Sequence, residues 1–150
     1  MDSYKSILDK FKYDWIYPPL LVGGHALSYH NIREPGYDLD VIVSQADWNI
    51  LKEMYQTTLN LFGGKTEKEV DATLNIRSPV KLDIIKTLWQ HNYNDFLKDS
   101  IYIEESNVRV ISIPNLLYIK SFPAVKFNDK KSKDDVQLIL DSVIRERYSN

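Results

Sequence analysis

The chain has 150 residues, 19 basic and 21 acidic side chains, a formal charge of -2, and no cysteine. Disulfides and thiolate zinc sites are therefore excluded, and strong sequence-blind binding to duplex nucleic acid lacks the basic surplus it requires. A hydrophobic share of 43% suits one folded domain over 1–150 with a substantial core.

Residues 1–12 carry five charges and do not read as a signal peptide. No apolar run approaches the roughly 18 to 20 residues of a membrane span. The expectation is a cytoplasmic protein without a membrane partner.

Taken in chain order, residues 3–13 read as a short amphipathic helix with Ile7, Leu8 and Phe11 on one face. Pro18-Pro19 ends it, and Leu20-Leu21-Val22 follows as an apolar strand. Gly23-Gly24 breaks that strand before a turn or two of helix over 25–30. After the Pro35-Gly36 turn, residues 38–43 run from alternating to wholly apolar, the pattern of a strand buried on at least one face.

Ser44 then N-caps a helix, with Asp47 in the reciprocal capping position. Trp48, Leu51, Tyr55 and Leu59 form its stripe, and Gly63-Gly64 is its stop. Strands are expected over 65–70, 73–77 and 80–85, a helical turn near 92–97, and a hairpin pairing 101–103 with 108–111. Pro114 opens a helix that Pro123 should kink or end. The last helix, 132–147, is expected to bury Val136, Ile139, Leu140 and Val143. The order predicts an α/β (α+β) fold: a mixed sheet with helices largely on one face. Trp15, Trp48 and Trp89 are assigned to the core, and three scattered histidines make a zinc site improbable.

The chemistry concentrates in 20–43. A glycine pair that ends a strand and opens a helix leaves unpartnered amides at the positive end of the helix dipole, an environment suited to phosphate. Asp38 and Asp40 lie two apart on a strand, so both point to one face with Cβ atoms roughly 6 to 7 Å apart. Carboxylates at that spacing hold magnesium, which takes oxygen ligands. Two like charges entering a core strand are costly unless a cation relieves them. Asp83, inside the apolar run 80–85, is a third acid that needs a partner, either a cation shared with the first two or a salt bridge with Lys81 or another neighbour.

Leu21-Val22-Gly23-Gly24, Asp38-Leu39-Asp40-Val41 and Leu82-Asp83-Ile84 together resemble the nucleotidyltransferase superfamily that includes DNA polymerase beta. The run Gly23-Gly24-His25-Ala26-Leu27, with Arg33 before the aspartates, looks most like bacterial abortive-infection toxin-type members, and the small antibiotic nucleotidyltransferases share the core. These motifs span 20–85, followed by the hairpin and helices of 99–147.

The resemblance implies a role for each matched residue. Gly23 and Gly24 would cradle the triphosphate, and His25 and Arg33 would contact the nucleotide. Asp38, Asp40 and Asp83 would be both catalytic and metal-binding, holding two magnesium ions, with manganese as a substitute. Lys120 resembles a helix lysine that reaches the triphosphate. Lys133-Asp134 preserves the Lys-Asp pair of an Arg-x-x-Lys-Asp-x-x-Asp motif in which Lys130 replaces the arginine and Gln137 the final aspartate.

The implied activity is transfer of a nucleoside monophosphate from an NTP such as ATP to an acceptor hydroxyl on a small molecule, RNA or protein, with release of pyrophosphate. The alternative is a silent nucleotide- or partner-binding module, one that would fit a part of a toxin-antitoxin or defence system. It is motivated by the roughly 65 residues after Asp83, where related enzymes append a helical domain. A homodimer or partner would then complete the acceptor site.

Overall fold

The computed structural model describes residues 3–62 and 71–148. The glycine stop at 63–64 and the strand expected over 65–70 lie outside them.

The first helix, α1 (Tyr4–Phe11), is capped by the Ser3 hydroxyl, ends at Lys12 in the left-handed conformation, and buries Ile7 and Phe11. Strand β1 (Leu20–Val22) runs directly into α2 (Gly23–Tyr29). Strand β2 (Leu39–Ile42) leads to α3 (Gln45–Met54), and Ser44 caps α3 as its side chain predicts. Asp47 departs from the reciprocal box: it accepts from the Ser44 hydroxyl, the Tyr13 hydroxyl and the amides of Ile16 and Tyr17. A fully buried carboxylate thus ties the segment after α1 to the start of α3.

Helix α3 also stops earlier than its apolar stripe suggests. Tyr55 caps it, Gln56–Thr58 form a single 3-10 turn, and Leu59–Phe62 become edge strand β3. The threonine pair is a poor helix former, and Leu59 to Phe62 alternate in burial as strand residues do.

Strand β3 pairs antiparallel with β4 (Asp71–Ile76), and β4 with β5 (Leu82–Ile85). Two short strands, β6 (Thr87–Leu88) and β7 (His91–Asn92), make a small separate ladder before α4 (Tyr93–Phe96), which carries an Asn92–Asp95 capping box. The expected hairpin is β8 (Ile101–Ile103) with β9 (Val108–Val110). Helices α5 (Ile113–Lys126) and α6 (Lys130–Tyr148) complete the chain.

The main sheet has the order β3-β4-β5-β2-β1-β9-β8. The β2–β5 and β1–β9 pairs are parallel and the others antiparallel, giving the mixed sheet expected. Leu21, Leu39, Val41, Ala72, Leu74, Leu82 and Ile84 are wholly buried. By strand alternation these residues share one face. The opposite face is apolar around Leu20 and Ile42, also fully buried, and polar one row further along.

The last two helices each depart from the expectation in one respect. Pro123 does not end helix α5, which continues through it to Lys126. Pro123 has no amide hydrogen for the carbonyl of Ile119 four residues earlier, and Trp89 Nε1 donates to that carbonyl at 3.0 Å instead. In α6, Ser132, Asp135 and Ile139 face inward, whereas Leu140 and Val143 are about 40% exposed (40% and 42%). The inward stripe is polar at its N-terminal end because Asp135 there pairs with Arg33 and Lys120. No helix among the described residues is long and apolar enough to cross a membrane.

Candidate active site

Register places the acids. Val22 is opposite Asp40, Asp40 opposite Asp83, and Asp83 opposite Asn75, so four neighbouring strands contribute one row across the sheet. Asp40 and Asp83 are direct neighbours on parallel strands. Burial and the adjacent Asp83 push the Asp40 carboxyl up to about 7, against a smaller opposing pull from Lys120.

Asp83 is fixed from the other side by Asn75 Nδ2 and Arg77 Nη1, both donating to its Oδ1 at 2.9 Å. The salt-bridge partner of Asp83 is therefore Arg77 rather than Lys81. Asp38 precedes β2 in the loop after Gly36, exposed to solvent.

Gly23 takes φ +63°, and a Cβ there would collide with the Asp40 carboxylate. A Cβ on Gly24 would sit 2.9 Å from the Gly36 amide nitrogen. The glycine pair thus brings the α2 backbone against Asp40 on one side and the Pro35-Gly36 loop on the other, an approach that side chains would prevent.

His25 is buried beneath this bend. Burial lowers its pKa, the nearby Gly36 backbone opposes that shift in part, and Nε2 has no partner. His25, expected to contact the nucleotide, is 4% exposed.

A cavity of about 220 Å³ is lined by Gly24, Gly36, Asp38, Asp40, Asp83, Arg33, Tyr37, Lys120 and Lys131. Six of the sequence-derived residues therefore meet at one place. Lys133 is not among those lining residues: its ammonium donates to Asn128, while Lys131 faces the cavity.

Behind the cavity is Asp135, which the sequence reading passed over. Arg33 Nε and Nη2 donate to its two oxygens at 2.8 and 3.1 Å, and Lys120 Nζ lies 2.9 Å from Oδ2. Burial raises the Asp135 pKa, but the two cations overcome it and hold the carboxylate below its ordinary range. Asp135 thereby fixes the two basic residues that the motif supplies from α5 and the α2–β2 loop.

Helical spacing was the available signal for Asp135, four residues before Ile139 on one stripe. Asn75 and Arg77 carried a weaker one, since asparagine is depleted in strands.

All three acids offer carboxylate oxygens, the donors magnesium takes. Burial and, after it, repulsion from Asp83 raise the Asp40 pKa, and a divalent cation beside the pair would relieve that repulsion. The pair fits such an ion. Asp38 lines the same cavity, but among the described residues no group of three acidic or histidine side chains is close enough to hold a metal between them.

No family model matches the chain, and no curated protein matches it. Among solved structures it is similar to an antigenic nucleotidyltransferase-like protein from Paracoccidioides brasiliensis. The two are 14% identical over 93% of this chain and 71% of that one, with a TM-score of 0.41.

Proposed function

We propose that the protein is a nucleotidyltransferase that transfers a nucleoside monophosphate from an NTP to an acceptor hydroxyl. The observation carrying this reading is the row of Asp40 and Asp83 beside the Gly23-Gly24 bend, with Lys120 and Arg33 across the cavity.

Asp40 and Asp83, joined by Asp38 from the loop, would hold magnesium or manganese. The metal supplies charge neutralisation at the transferring phosphoryl group. The Gly23-Gly24 backbone at the start of α2 receives the triphosphate, and Lys120 and Lys131 add positive charge toward the leaving group. Asn75 and Arg77 orient Asp83, which accepts the acceptor's proton. The hydroxyl oxygen bonds to the α-phosphorus, the bond from that phosphorus to the bridging oxygen breaks, and pyrophosphate leaves with the electron pair. Positioning and electrostatics provide most of the acceleration in such transfers.

Incubation with α-labelled NTPs, magnesium and candidate small-molecule, RNA and protein acceptors tests the proposal. Label transfer by the wild type, abolished in Asp38→Ala and Asp40→Ala, is the expected result. Equal transfer by wild type and the double variant removes the reading.

A second reading, a module that holds nucleotide without turnover, draws support from the position of Asp38 outside the Asp40–Asp83 pair. Calorimetry and the label-transfer assay together distinguish it: the module binds NTP with metal but transfers no label to any acceptor.

A further inference from the structure

A second cavity, of about 800 Å³, opens on the acid-bearing side of the sheet, bounded by Trp89, Phe122, Phe127, Phe62, Thr73 and Lys126 among others. Its walls are aromatic. Trp89 and Phe122 stack at 4.5 Å with planes 19° apart, and Phe127 tilts against both at 6.1 Å. Phe62 and Phe127 are 54% and 60% exposed, so ring surface faces the opening.

The frame of this cleft is held in place. Asp71 accepts from the amides of Trp89 and Gln90 and from the Thr87 hydroxyl, which lets Trp89 and Gln90 keep positive φ angles. The Trp89 indole is tied to the Ile119 carbonyl. A preformed apolar cleft with a few polar groups is the usual form of a small-molecule site.

Thr73 on the cleft wall donates to Asn75 at 3.4 Å, and Asn75 donates to Asp83. Thr73 stands one strand across from Asp83 and two residues along. With strands about 4.8 Å apart and about 6.8 Å per two residues, that separation is roughly 8 Å. The sheet order β4-β5-β2-β1 puts the cleft on the far side of the acids from Gly23-Gly24. In an in-line displacement the attacking oxygen and the leaving pyrophosphate occupy opposite sides of the phosphorus.

From these observations we infer that the Trp89–Phe122–Phe127 cleft is the acceptor subsite, and that the acceptor is a small molecule whose flat apolar ring stacks there and whose hydroxyl reaches Asp83. This inference rests on the proposed transferase reading. Lys126 is the single basic residue among the described lining residues, and both oxygens of Asp71 are already used. A polyanionic RNA end would require more positive charge than this.

Tryptophol, an indole ring with a two-carbon arm ending in a hydroxyl, is a suitable probe. Its binding is followed by ligand-observed NMR in wild type, Phe127→Ala, Phe122→Ala and Asp40→Asn, with magnesium-ATP binding measured in parallel. Phe127 is exposed at the end of α5, so its variant is expected to fold even if Phe122→Ala does not.

The expected result is tryptophol affinity at least tenfold weaker in Phe127→Ala and unchanged in Asp40→Asn. Magnesium-ATP should show the reverse pattern, and both ligands should bind together. No tryptophol binding, or equal binding by Phe127→Ala, overturns the inference while ATP binding leaves the transferase reading standing. Displacement of tryptophol by ATP overturns it in favour of a nucleobase site, and displacement by a short RNA in favour of a nucleic-acid end. Tryptophol binding without any magnesium-ATP binding removes the transferase reading and the acceptor role with it.

Discussion

Asp40 and Asp83 face one another across the parallel β2–β5 ladder, where burial and the like charge of Asp83 hold the Asp40 carboxyl above its ordinary range. The pair is therefore a source of tension in the metal-free protein and the natural seat of its pH response.

The Asp40 carboxyl is raised from 3.8 to about 7 on folding. The folded state thus binds the proton more tightly than the unfolded chain, and stability falls as pH rises across that interval. In EDTA, the thermal midpoint of the wild type should decline from pH 4 toward pH 7, apart from other groups. Asp40→Asn should flatten that decline and be the more stable protein at pH 8. Magnesium should raise the wild-type midpoint at pH 8 and leave Asp40→Asn unmoved. Scanning calorimetry at several pH values reads all three, and a wild type no less stable than Asp40→Asn at pH 8 contradicts the account.

Removing Asp135 should be among the more damaging single changes. Its carboxylate is 3% exposed and compensates both Arg33 and Lys120. Asp135→Ala strands two partly buried cations, an effect worth about 3 kcal/mol in urea denaturation. Because the folded pKa of Asp135 lies below its ordinary value, its contribution is present at neutral pH and lost as pH falls through that lowered pKa. The variant's deficit should therefore shrink in strong acid.

Gly23→Ala combines a φ of +63° with a Cβ directed into Asp40. The left-handed backbone alone costs about 1 to 2 kcal/mol for an alanine. Displacement of Asp40 should also abolish magnesium-dependent nucleotide binding. Gly36→Ala is the control, since a Cβ there meets nothing within 4 Å. Calorimetric titration of the two variants should separate them, and equal binding by both would argue against the glycine bend as the phosphate cradle.

Trp89 and Pro123 make a linked pair. Trp89→Phe should leave the Ile119 carbonyl unpartnered, costing about 1 to 3 kcal/mol. Pro123→Ala supplies an amide four residues on. The double variant should therefore lose less stability than the two single changes predict together. Additive losses would show that the indole bond does not substitute for the missing helix bond.

Much of this architecture is legible in local pattern. Short apolar runs over 20–22, 39–42 and 82–85 mark buried strands, serines mark the starts of α1, α3 and α5, and the glycine pair with Asp38-Leu39-Asp40 marks where chemistry gathers. These signals survive in sequence because strand and helix periods and caps are set by residues within a few positions of one another.

What the chain order leaves open is which distant residues become neighbours and which way a helix faces. Arg33 meets Asp135 across 102 residues, and Asp83 finds Asn75 and Arg77 only once β4 and β5 have paired in register. Leu140 and Val143 carry an apolar signal, yet helix α6 turns Asp135 and Ile139 inward, because the surface it covers has cations to neutralise beside apolar side chains to bury. Residue type states what a side chain needs. The surface packed against it decides whether that need is met by water, by a hydrophobic neighbour or by an opposite charge, and that surface exists only in the folded chain.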